Sequence, residues 1–230
     1  MNEFLTVAAA VAGGVLPALA WLWFWLREDS KNPEPRRLIA LAFVAGMIAV
    51  AIAIPLEKYA ATVLTTTTLI FSAWSVIEEV VKYLFAYATV LRRAEDDEPI
   101  DPVIYMVTVA LGFAAAEKTL FLLSPLSGGT VLQEVLTGNL RFVGATLLHV
   151  LSSSVIGVAL GITFYKSRSA KVLATIIGII SASCLHAAFN FFILNTPEKD
   201  LLKTFSVVWI GLVILIAVLE FIKRIKPRRV

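Results

Sequence analysis

The chain has 230 residues, 59% of them hydrophobic and 16% charged, with a mean hydropathy of +0.85. Soluble domains run near 45–50% apolar and about 25% charged, so this composition excludes a soluble globular domain and points to an integral membrane protein. The net charge of +3 does not indicate a nucleic-acid binder, because the basic residues lie in short loops and in the terminal stretch "FIKRIKPRRV", where they orient helices in a lipid bilayer.

The first apolar run covers residues 4–26 and closes on the aromatic cluster "WLWFWL". It has no basic region ahead of it and is long enough to span, so it reads as a first transmembrane helix rather than a cleaved signal. The polar loop "REDSKNPEPRR" follows, then a second span over 38–56. A connection at Glu57 and Lys58 leads into a third span over 60–91, which contains "SVIEEVVKYL". Four more spans are expected at 102–123, 139–165, 171–194 and 204–222, reached through "RRAEDDEPID", "SPLSGGTVLQEVLTG", "KSRSAK" and "NTPEKD". No repeat or linker divides the chain. Residues 1–230 are therefore expected to form a single all-α polytopic membrane bundle of about seven transmembrane helices.

Lysine and arginine concentrate in the loops after spans 1, 3 and 5 and in the C-terminal tail, whereas the other connections hold Lys58, Arg141, Lys199 and Lys203. This bias places the N-terminus outside and the C-terminus in the cytoplasm. The lone Cys184 cannot form an internal disulfide and reads as a small apolar filler.

Charges inside spans demand a reason, since each costs at least about 2.5 to 3.5 kcal/mol near the bilayer centre. Span 3 carries Glu78, Glu79 and Lys82, span 4 Glu117 and Lys118, span 5 His149, and span 6 His186 with the polar Asn190. At about 1.5 Å per residue, Glu78 lies about 21 Å from Arg92, Glu117 about 22 Å from Pro102, His149 about 26 Å from Lys166, and His186 about 22 Å from Lys171. Four helices of alternating direction thus bring a carboxylate or imidazole to nearly one level. Glu78 and Lys82, Phe113 and Glu117, and His186 and Asn190 are each four apart and share a face. Glu79 with Lys82 could be a packing pair, and a lone histidine could join two helices. A common depth on four helices argues instead for one cavity able to hold and deprotonate a water. Lys118 is expected at the cavity rim or snorkelling, and Glu220 at the membrane interface.

Several chemistries fall away. No GxSxG turn accompanies the serines of "HVLSSSVIG", and no HExxH is present. Cys184 and His186 are two apart and point to different helix faces, and the last span has no lysine for a retinal Schiff base.

Four short patterns carry a family resemblance: "EEVVK", "FAAAE", "RFVGATLLHVLSSSVIG" and "HAAFN". Their order and helix placement, with the loop "DSKNPEPRRLIALAFVAG", resemble the PrsW family of intramembrane proteases, within a larger group that includes the CAAX prenyl endopeptidases and ABI-type bacteriocin-immunity proteins. The resemblance implies a membrane-embedded endopeptidase in a prokaryotic plasma (inner) membrane. It would cut single-span membrane proteins of the anti-sigma-factor type, with the lipid bilayer and that substrate as partners. Carried over, the catalytic residues are Glu78, Glu79, Glu117, His149, His186 and Asn190, supported by Lys82, Arg141 and Ser153. The CAAX relatives have histidine where this chain has Glu117, which disfavours cleavage of prenylated tails.

Glu78 is the favoured acceptor of the water proton, with His186 and Asn190 set to stabilise the oxyanion. A Zn2+ ion would draw its ligands from His149, His186 and a glutamate, Glu78 or Glu117. A glutamate-activated water without metal stays open beside it. The alternatives are a non-catalytic membrane scaffold or immunity-type binder that keeps the polar core for assembly, and an ion-coupled carrier, which the absence of two similar halves disfavours.

Overall fold

The computed structural model describes residues 3–123, 140–195 and 201–226, with side chains over 4–123, 144–192 and 206–226. Among them the chain forms seven helices and no strand. These are α1 (Glu3–Leu26), α2 (Arg36–Val63), α3 (Thr67–Thr89), α4 (Asp101–Leu123), α5 (Leu140–Ile162), α6 (Arg168–Asn195) and α7 (Leu201–Ile222). Helices α1, α2, α4, α5 and α6 contain stretches long and apolar enough to cross a membrane. The charges that the sequence places on α3 keep it out of that set, and the apolar part described for α7 is shorter, Ser206–Ile222. Large apolar side chains such as Val44, Ile48, Ile177, Ile180, Val213 and Ile214 face outward, as lipid-contacting positions do.

Helix α4 forms the centre of the bundle. It is buried almost without a break from Asp101 to Ala115 and packs against α1, α2 and α5. Helix α3 packs on α2 and α6, and α5 carries α6 and α7 on its far side. Lipid offers no hydrophobic drive between helices, so small residues that let backbones approach dominate such contacts. The α2–α4 crossing shows this reciprocally: a Cβ on Gly46 would run into the Val109 carbonyl, and one on Gly112 into that of Phe43.

The turn between the second and third helices differs from the sequence expectation. Helix α2 does not stop at Leu56 but runs through Glu57 and Lys58 to Val63. The stretch from Leu56 to Leu64 contains no glycine, proline, asparagine or aspartate to end it. The break falls at Leu64–Thr66, where the Thr66 hydroxyl accepts from Leu69 N at 3.4 Å and caps α3. Trp74 of α3 then donates its indole N–H to the Glu57 carbonyl at 3.0 Å, pinning the hairpin.

The loops after α1, α3 and α5 and the end of α7 meet at one end of the bundle. Lys223 bridges Glu28 at 2.9 Å and Glu220 at 2.7 Å, and Arg37 reaches Glu95 at 2.6 Å. Burial pushes the Asp29 carboxyl up to about 7 and that of Glu34 up to about 8 in the loop between α1 and α2.

Candidate active site

Helix α3 supplies Glu78, Glu79 and Lys82 on one turn, all buried against α5 and α6. Glu79 is wholly enclosed and its oxygens are spoken for. Its Oε1 accepts from Lys82 Nζ at 2.8 Å, lies 2.9 Å from His186 Nδ1 and accepts from Ser152 at 3.1 Å, while Oε2 accepts from Ser153 at 2.7 Å. Glu78 faces the imidazoles: its Oε2 is 3.5 Å from His149 Nδ1, 3.9 Å from His186 Nε2 and 3.3 Å from Lys82 Nζ. The two rings meet edge to face with centroids 5.1 Å apart.

The pairings fix the histidine tautomers. Lys82 has only protons to offer and stands 2.8 Å from His149 Nδ1, so that nitrogen accepts and Nε2–H donates to Glu117 at 2.9 Å. An ionised Glu79 can only accept, so His186 carries its proton on Nδ1 and keeps the Nε2 lone pair toward Glu78. Phe113, four residues before Glu117, lies under the Lys82 ammonium at 4.4 Å and against the His149 ring at 5.5 Å.

Donor atoms of Glu78, His149 and His186 all lie within 4.8 Å of one another. Four ligands at 2.0–2.1 Å around a zinc-like ion stand about 3.3–3.4 Å apart, so the separations of 3.5 and 3.9 Å from Glu78 Oε2 fit with little movement. The back of each ring is held as metal-binding histidines are held, with the other N–H given to a carboxylate: Glu117 for His149 and Glu79 for His186. Glu78, His149 and His186 could therefore hold a metal ion once Lys82, which stands 2.8 Å from His149 Nδ1, is left to Glu79.

The structure thus gathers Glu78, Glu79, Lys82, Glu117, His149, His186 and Ser153. The Asn190 amide lies 3.5 Å from the Ser75 hydroxyl of α3. The side chain of Arg141 lies outside the described residues. Lys118 is neither at a rim nor snorkelling: it is buried and donates to the Thr146 hydroxyl of α5. One participant escaped the sequence reading: Ser152 was visible, lying three residues after His149 and on its face.

A buried group of carboxylates and imidazoles inside an apolar helical bundle defines a polytopic membrane protein with an enclosed, metal-competent site. A family model described as PrsW family intramembrane metalloprotease matches residues 34–219, and the chain belongs to that family. It is 28% identical over 163 residues to Protease PrsW of Geobacillus kaustophilus, covering 70% of this chain and 67% of that one. It is 25% identical over 187 residues to Protease PrsW of Bacillus subtilis, covering 80% and 82%. Protease PrsW of Oceanobacillus iheyensis is 24% identical over 201 residues, covering 84% and 87%. No solved structure matches.

Proposed function

We propose that this member of the PrsW family is an endopeptidase of a prokaryotic plasma (inner) membrane that cleaves a single-span, membrane-anchored protein of the anti-sigma-factor type with an activated water. The observation that carries the reading is the meeting of Glu78 Oε2, His149 Nδ1 and His186 Nε2, with each ring's other nitrogen on a carboxylate.

Glu78 is the proton acceptor in this reading. Its Oε2 lies between the two histidines, so a water in its reach also meets them, whereas Glu79 already has a partner on each oxygen. Glu79 and Glu117 act behind the rings, holding His186 and His149 in the tautomers that point lone pairs inward. Lys82 balances the carboxylates and keeps Glu79 as its partner when His149 gives its Nδ1 lone pair elsewhere. Asn190, through Ser75, ties α6 to α3 beside the site and positions His186, four residues earlier on its face. In the reading with metal, Glu78, His149 and His186 would hold a Zn2+ ion, which would supply a Lewis acid and a water of lowered pKa, and Glu78 would then serve as a ligand in place of the proton acceptor.

The test uses purified protein in liposomes with a single-span reporter. Glu78→Gln keeps shape but cannot accept a proton, and the expected loss is about 10² to 10⁴ in cleavage rate. His149→Ala and His186→Ala are expected to be as inactive and to lose bound metal in elemental analysis. Wild-type cleavage by all three variants would remove this group from the chemistry, and no cleavage by the wild-type protein would favour the scaffold reading, with the polar layer serving assembly.

A further inference from the structure

A second group of carboxylates lies at the loop end of the bundle, in two loops and at the first residue of α4. Asp29 and Glu34 come from the loop after α1, Glu98 from the loop after α3, and Asp101 opens α4. Asp29, Glu34 and Asp101 are buried, Asp101 completely. Oxygens of Asp29, Glu98 and Asp101 all lie within 4.8 Å of one another. The Glu34 carboxyl stands in hydrogen-bonding reach of Asp101.

Donors are too few for these acceptors. Asp101 Oδ2 accepts from Asp97 N at 2.8 Å and Glu98 N at 2.6 Å, Asp29 Oδ2 accepts from Glu34 N at 3.1 Å, and Tyr105 donates its hydroxyl to Glu34. Asp101 Oδ1 is buried and receives no N–H, ammonium or hydroxyl hydrogen bond, although the Glu34 carboxyl lies within reach of Asp101. Among the described residues no lysine or arginine forms an ion pair with the four. Lys223 pairs with Glu28 and Glu220 though its charge also reaches Asp29, Arg37 pairs with Glu95, Arg27 lies over the Trp23 ring at 3.7 Å, and Lys31 and Arg224 line the neighbouring cavity without an ion pair to the four. A completely buried carboxylate oxygen is costly unless a cation or a proton shared with a neighbouring carboxyl meets it. Asp29 and Glu98 also line a cavity of about 500 Å³ that gives an ion a route to water.

We propose that Asp29, Glu98 and Asp101, with Glu34 beside them, hold a hard divalent cation of the Ca2+ or Mg2+ class that clamps the α1–α2 loop to the start of α4. The chemistry suits such an ion, since every donor is a carboxylate oxygen. The span suits it too: ligands at 2.3–2.6 Å from Ca2+ stand up to about 5 Å apart, and the smaller Mg2+ would be met partly through water. This site does not depend on the catalytic reading, because it shares no residue with the group on α3, α5 and α6.

The test is a thermal unfolding series on purified, chelator-stripped protein in detergent, in the Glu78→Gln background so that the membrane site is altered throughout. Adding Ca2+ or Mg2+ is expected to raise Tm saturably by a few degrees, as ligands that bind only the folded state do. Glu98→Gln and Asp29→Asn should abolish the rise. Asp101→Asn is less useful, since Asp101 also accepts two backbone N–H groups at the head of α4. Tb3+ gives a direct measure, because Tyr105 lies against Glu34 and can sensitise its luminescence. No Tm rise with either cation, or an equal rise and equal Tb3+ signal in Glu98→Gln, would overturn the proposal.

Discussion

Glu78 and Glu79 are adjacent in the chain, yet one turn of helix gives them opposite surroundings. Glu79 is wholly buried and shares Lys82 and His186 on one oxygen and Ser153 on the other. Glu78 meets two imidazoles at 3.5 and 3.9 Å. The two amide variants should therefore fail differently. Glu78→Gln is expected to lose cleavage while its unfolding midpoint stays near wild type. Glu79→Gln leaves the buried Lys82 ammonium without its shortest carboxylate partner, and breaking such a pair costs about 3–5 kcal/mol. Glu79→Gln should thus lower thermal stability in detergent as well as activity. A Glu79→Gln protein as stable as wild type would show that Glu78 alone balances Lys82.

At the scale of the helix, α4 decides the architecture and α2 decides how closely it is held. Gly46 and Gly112 face the partner backbone so closely that an added methyl would overlap Val109 or Phe43 carbonyl oxygen. Backbone cannot swing aside as a long side chain can, so the helices must part. Overpacking of this kind costs about 1–3 kcal/mol or more. Gly112→Val is expected to lower the unfolding midpoint strongly and to reduce activity, because α4 also carries Phe113 and Glu117. A matching change at Leu120, which is 48% exposed, should be silent in Leu120→Val. Equal midpoints for the two variants would show that the α2–α4 contact tolerates separation.

At the scale of the whole molecule, the loops richest in lysine and arginine gather at one end, where Lys223 ties α7 to Glu28 in the loop after α1. We expect that end to face the cytoplasm by the positive-inside rule. In a Cys184→Ser background, a cysteine at Thr65, in the exposed turn between α2 and α3, should react with an impermeant thiol reagent in intact cells. One at Ser167, in the exposed turn between α5 and α6, should react only after the membrane is opened. The reverse pattern would invert the orientation without disturbing the fold.

Composition, span lengths and depths were open to inspection in the sequence because they depend on local quantities: hydropathy along the chain and a rise of about 1.5 Å per residue. That arithmetic placed Glu78, Glu117, His149 and His186 at one level before any helix was packed against another. Rotation about each helix axis and the distance between axes are tertiary, and they decided the rest. They turned His149 Nε2 to Glu117 and Nδ1 to Lys82 and Glu78, buried Lys118 against Thr146, and set Glu79 among two serines. They also set Asp29 beside Asp101, which lie far apart in the chain, because the crossing of α1 and α4 brings their ends together. Where α2 ends followed from neither charge nor hydropathy, since Glu57 and Lys58 are sound helix formers and the turn came only at Leu64–Thr66. A charge pair can sit at a membrane boundary or continue a helix beyond it, and only the packing of Trp74 on Glu57 distinguished the two.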